Sequence, residues 1–173
     1  SVFLQHTEDK EPVTPDMVDW SRTRAWGEGG YYARIWLNIE GRDPEGMVSP
    51  AEAVKLRGEI AAGLRALALP HTTRETRVVF PEDEYRETRG VPPDLMVFFG
   101  DLAYRALGSV GTGQLFSETN DTGPDSCNHD WDGIFVMAGG AAEARGMLVD
   151  LTLYDVAKSV LSLLHVPISD GLL

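Results

Sequence analysis

Between Gly27 and Gly41 apolar and polar positions alternate. Tyr31, Ala33, Ile35, Leu37 and Ile39 fall on one face, and Tyr32, Arg34, Trp36, Asn38 and Glu40 on the other. A period of two with aromatic and β-branched residues predicts a strand. The glycines of "GEGG" (27–30) read as a turn, because phosphate-cradling glycine loops lie between a strand and a following helix. "GRDPEG" (41–46) reads as the turn that closes the strand.

The period then changes. Ser49, Pro50 and Glu52 form a capping box with proline at the first helical position. Leu56, Ile60, Leu64 and Leu67 repeat at helical spacing, and Pro70 is the expected stop. "TRVVFP" (76–81) is a short strand, and "DLMVFFG" (94–100), apolar on both faces, is an interior strand. Residues 101 to 131 are rich in glycine, serine, threonine and aspartate and read as loop. "DGIFVMAGG" (132–140) reads as a second interior strand. Thr152 and Asp155 open a last helix carrying Leu153, Val156, Val160, Leu161 and Leu164, with His165 capping its end before Val166 and Pro167.

The order of strand, helix, strands, long loop, strand and helix follows α/β logic. Two interior strands and only two good helices leave sheet surface without cover. This predicts one part of a larger α/β protein, able to form a homo-oligomer through exposed sheet surface. Residues 1–19 are polar, with Pro12 and Pro15, and read as an extended lead-in to a single domain over 20–173.

Composition narrows the function classes. The 173 residues are 43 % hydrophobic and 24 % charged, the profile of a globular domain. Acidic residues number 27 against 15 basic, a net charge of −12. Such a surface repels phosphate backbones and argues against a nucleic-acid polymer as partner, though a bound metal can still draw a small phosphorylated ligand. No apolar run reaches the roughly 18 residues of a membrane span, and the N-terminus has no signal-peptide pattern. One cysteine excludes an internal disulfide framework and suits a cytoplasmic setting. Arg34, Arg42 and Asp43 read as surface ion pairs of little energetic weight.

The densest chemistry is "NDTGPDSCNHDWD" (120–132). Asn120, Asp121, Asp125, Cys127, Asn128, His129, Asp130 and Asp132 all lie there, directly before the apolar run. Carboxylates suit oxygen-loving cations and imidazole suits zinc or manganese. A calcium loop fails on spacing. Asn128, Asp130, Asp132 and Gly133 match positions 1, 3, 5 and 6, but position 12, a bidentate glutamate in such loops, is Gly139. A zinc cluster lacks a second group of ligands. A Cys127–His129 nucleophile pair is conceivable, but Cys127 reads better as a small residue at the core edge. The aspartates read mostly as turn formers. His6, His71 and His165 have no ligands near them in sequence. His129 remains as the candidate ligand.

Four stretches, "VDWSRTRAW", "GYYARIWLNIEGRDPEGMV", "NDTGPDSCNHDWDGIF" and "TLYDVAKSVLSLLHVPI", together resemble the C-terminal part of alkaline-phosphatase-superfamily proteins. The nearest branch is the type I phosphodiesterase / nucleotide pyrophosphatase group with its related phosphohydrolases and phosphomutases. The resemblance runs from about residue 18 to the end, in the family's order.

It implies part of a large α/β sheet with flanking helices, without the N-terminal half of that fold. It also implies two divalent metals, zinc first and manganese second, at a phosphate site. A threonine or serine nucleophile attacks phosphorus there. His129 matches a late metal-binding histidine, and Asn120, Asp121, Asp125, Asn128 and Asp130 would shape the loop around it. The family's nucleophile and its other metal ligands belong to an upstream region that these residues do not match. The final helix also departs, with Asp155, Val156, Ala157, Lys158 and Ser159 where the family carries aspartate, a hydrophobic residue, alanine, proline and threonine.

The expected function is therefore that of the C-terminal portion of a metal-dependent phosphoesterase. The intact protein would act on a small phosphorylated substrate, while the segment alone would hold no metal and be inactive. The alternative is a non-catalytic acidic interaction module that keeps the fold.

Overall fold

The computed structural model describes residues 11–111, 113–118, 127–139, 146 and 150–168. Its elements run β1 (Glu11–Pro12), a 3-10 turn (Pro15–Met17), β2 (Ala25–Glu28), β3 (Ala33–Leu37), α1 (Pro50–Arg65), β4 (Arg77–Val79), α2 (Pro81–Glu84), β5 (Leu95–Phe98), β6 (Ser109–Val110) and α3 (Leu153–Leu163). The chain divides into two units, Ser1–Asp130 and Trp131–Leu173. It is a mixed α/β chain. Its main sheet has the order β2-β3-β5-β4, and every pair in it is antiparallel.

The alternating segment from 27 to 41 is not one strand. It begins inside β2, turns at Gly29–Tyr32 and returns as β3, pairing Ala25 with Leu37 and Trp26 with Trp36. The turn read from "GEGG" is present, and it converts the expected strand into a hairpin. One face of the hairpin stacks Trp26 on Trp36 at 4.6 Å and pairs Arg34 with Glu28 at 2.8 Å. Such cross-strand contacts are the unit of sheet stabilisation.

The other face carries the core. Ala33, Leu95, Val97 and Val78 meet Ala61 of α1, while Ala25, Leu37 and Val48 meet Ala53. Leu37 and Leu95 are fully buried, each stabilising the fold by about 2 kcal/mol. The expected stripe of α1 is present but sits to the side, with Leu56, Ile60 and Leu64 half-buried. The deepest helix residues are alanines, whose short side chains let α1 approach the sheet. The capping box at Ser49 and Glu52 is formed. The helix ends at Arg65, before Pro70, because Leu67 N–H bonds to Leu64 O and tightens the last turn.

β5 lies between β3 and β4 as an interior strand, with Leu95, Met96 and Val97 buried. The second expected interior strand is not there. Residues 132–138 form no ladder, and Ile134 and Val136 are 96 % and 82 % exposed. An apolar run becomes a strand only where another strand pairs its backbone, and no described strand does so here. Of the two interior strands expected to need cover, only β5 is formed among the described residues.

The lead-in also has structure. β1 pairs with β6 of the 101–131 segment, Val13 N–H reaches Gly108 O at 3.0 Å, and Val18 is buried. In the second unit α3 is capped by Thr152 and Asp155 as expected, and none of its residues is buried.

Candidate functional site

The hairpin tip positions the site. Gly30 N–H donates to Ala106 O at 2.7 Å, and Ala106 N–H returns to Gly30 O at 3.0 Å. Glycine is required beside this pair. A Cβ on Gly29 would lie 2.4 Å from Gly108 N and 2.5 Å from Ala106 O, and Gly30 has φ +139°. This close backbone approach brings Tyr31 to the 101–106 turn and to the end of the acidic loop.

Tyr31 lies flat on His129, with ring centroids 3.6 Å apart and planes 16° from parallel. The Arg105 guanidinium carbon is 4.4 Å from the Tyr31 centroid. Two planar groups that close cannot share one ring face, so Tyr31 sits between imidazole and guanidinium. Stacked rings and cation–π contacts each contribute about 1 kcal/mol. Arg105 also donates to the Cys127 carbonyl, and Asn128 Nδ2 donates to the Leu102 carbonyl. Leu102 is buried in the left-handed region, φ 71°, one residue after Asp101 at φ 52°. For a leucine that conformation costs about 1–2 kcal/mol. Beside Arg105 opens a cavity of about 530 Å³, lined among others by Glu28, Ala33, Phe99, Tyr104 and Phe116.

His129 and Asp130 are exposed, and Asn128 is half-buried and pinned through its amide. Asn120, Asp121 and Asp125 lie outside the described residues. Cys127 is exposed, contrary to its reading as a core-edge residue, because only its carbonyl is engaged by Arg105. Tyr31 and Arg105 carried no signal in the sequence pattern. Tyr31 counted only as a strand residue, and its partners lie far along the chain.

Among the described residues no group of three or more His, Cys, Asp or Glu side chains could hold a metal ion. His129 nevertheless fits the part of a single ligand. Stacking occupies the faces of an imidazole, whereas a metal binds the in-plane lone pair of a ring nitrogen. One position earlier in the chain, Asn128 Oδ1 is buried and has no hydrogen-bond partner among the described residues, an orphaned acceptor of the kind a ligand, ion or water satisfies. Imidazole nitrogen and amide oxygen are both donors that zinc or manganese accepts.

Compared with protein-family models, with curated proteins and with solved structures, the chain finds no match in any of the three. Among the described residues no helix is long and apolar enough to cross a membrane.

Proposed function

We propose that the chain is the C-terminal portion of a metal-dependent phosphoesterase that acts on a small phosphorylated substrate. His129 supplies one metal ligand, and the nucleophile and remaining ligands lie outside these 173 residues. The observation that supports this reading is the treatment of His129. The residue singled out by the resemblance is exposed, yet its ring is stacked on a folded hairpin. A histidine serving only to fill a core would be buried instead.

Of any such metal site His129 would hold one ligand position, and the bound ions would supply Lewis-acid stabilisation of charge at phosphorus. The residues of this chain do simpler work. Tyr31 holds the plane of His129, Arg105 ties down the Cys127 carbonyl, and Asn128 anchors the loop to Leu102. One imidazole cannot retain a catalytic metal, so the 173-residue chain alone is inactive.

The test is zinc content by elemental analysis of the full-length gene product, with hydrolysis of bis(4-nitrophenyl) phosphate measured alongside. The expected result is chelator-sensitive turnover by the full product, none by the 173-residue chain, and reduced zinc in His129→Ala. Unchanged zinc in that variant, or metal-dependent turnover by the segment alone, overturns the reading. A full product without metal or turnover leaves the acidic interaction module in its place.

A further inference from the structure

We infer that Tyr31 is a positioning residue for His129: it sets the plane in which the imidazole presents its nitrogens, and Arg105 locks it in place from the opposite face. The inference rests on the ligand role given to His129 above and extends that site to two residues of other elements.

The geometry is specific. A ring centroid separation of 3.6 Å at 16° is a parallel stack, so rotation of the imidazole about its Cβ–Cγ bond would drive its edge into the phenol ring. The phenol is itself constrained. Its backbone is fixed by the paired hydrogen bonds between Gly30 and Ala106, one residue before it. Its second face meets the Arg105 guanidinium at 4.4 Å. Arg105 is the common element, because it also donates a hydrogen bond to the Cys127 carbonyl, two residues before His129. Hairpin tip, turn and loop are thus joined through one cation.

An exposed histidine ordinarily samples several rotamers, and ordering it on binding a metal costs side-chain entropy. A stack formed beforehand removes that cost. The contact needs an aromatic face and no hydroxyl, since among the described residues no hydrogen bond accompanies it. Tyr31→Phe should therefore preserve the function, and Tyr31→Leu should remove it.

The experiment uses the full-length product with ¹³C-labelled histidine rings, and His129→Ala identifies the His129 signal by its loss. In wild type and Tyr31→Phe the His129 ring protons resonate upfield, shielded by the aromatic face. In Tyr31→Leu that shift disappears while amide dispersion elsewhere is kept. Zn²⁺ affinity, measured by competition with a chromophoric chelator, weakens about 10- to 100-fold in Tyr31→Leu, as for other groups that orient a ligand, and is unchanged in Tyr31→Phe. If Tyr31→Leu leaves the His129 shift or the Zn²⁺ affinity as in wild type, the positioning role is wrong although the ligand assignment stands. If His129→Ala itself binds Zn²⁺ as wild type does, the ligand assignment fails and the inference falls with it.

Discussion

The guanidinium of Arg42 forks across the carboxylate of Asp94, Nη1 to Oδ1 at 3.1 Å and Nη2 to Oδ2 at 2.9 Å. Asp94 Oδ2 also accepts from Leu37 N–H at 2.7 Å, and Arg42 donates to Leu37 O and to Asp43. The pair therefore closes the end of β3 against the start of β5. Its side chains are 25 % and 12 % exposed, so the surface pair expected for Arg42 is in fact a half-buried network. Burial draws the Arg42 pKa down, but the hydrogen bond and charge of Asp94, and then those of Asp43, outweigh it and hold the group above its ordinary value.

Removing Asp94 takes the forked carboxylate from Arg42, leaving it Asp43 alone among its described carboxylate partners, and leaves Leu37 N–H without its acceptor. Asp94→Ala should lower stability by about 2–4 kcal/mol, read as a lower urea midpoint with an unchanged slope. Arg42→Lys should also be destabilising, since an ammonium cannot fork. A midpoint for Asp94→Ala equal to wild type would show that the network adds nothing.

The glycines divide into two kinds with opposite expected effects. Gly29 has backbone atoms 2.4–2.5 Å from where its Cβ would sit, whereas Gly58 and Gly63 in α1 face open space. Gly29→Ala should cost about 1–3 kcal/mol and part the hairpin tip from Ala106. The same substitution should abolish the upfield shift of the His129 ring, although the changed residue does not touch the histidine. Gly58→Ala and Gly63→Ala should each raise stability by about 0.5–1 kcal/mol, because a helix-interior glycine carries excess backbone entropy when unfolded. Thermal unfolding of the three variants separates the two groups.

What the chain reveals from its letters follows from how far its interactions reach. The capping boxes at Ser49–Glu52 and Thr152–Asp155 act over three residues, and both are formed. β5 was legible because burial on both faces demands an unbroken apolar run. Arg42 and Asp94 stand 52 positions apart, and no local pattern links them. Tyr31 and His129 are further apart still, so the composition of the acidic loop drew attention to His129 but not to the aromatic that orders it. The run from Ile134 to Ala138 failed for a related reason. Its apolar residues would suit a buried strand, but only a partner's backbone makes a strand, and composition cannot supply the partner.

The capping carboxylates should make helix stability depend on acid. The Asp155 carboxylate accepts hydrogen bonds from the Thr152 hydroxyl and backbone N–H, in that order of effect, which holds it below its ordinary value of 3.8. Glu52 is lowered from 4.5 in the same way by Ser49. Because the folded pKa lies below the unfolded one, the carboxylate's contribution is complete above the ordinary value. It is lost as pH falls through the lowered folded value. Amide protection factors in the first turn of α3, taken relative to the intrinsic exchange rate at each pH, should therefore fall under acid in wild type. In Asp155→Asn they should already be low and show no such step. An acid step of equal size in both proteins would place its origin elsewhere.

His165 ends α3 by its backbone. It has φ 55°, its N–H donates to Ser162 O at 3.1 Å, and Val166 N–H reaches back to Leu161 O at 2.9 Å. These two bonds make a Schellman closure with histidine in the left-handed position that glycine usually fills. The capping role expected of His165 is thus real, but it belongs to the main chain, where the imidazole confers no advantage and Cβ adds strain. His165→Gly should stabilise the end of the helix by about 1 kcal/mol, seen as slower amide exchange at Leu164 and Val166. His165→Val should do the reverse, because a branched Cβ tolerates positive φ worst. If glycine instead speeds exchange, the imidazole holds the helix end after all and the backbone account is wrong.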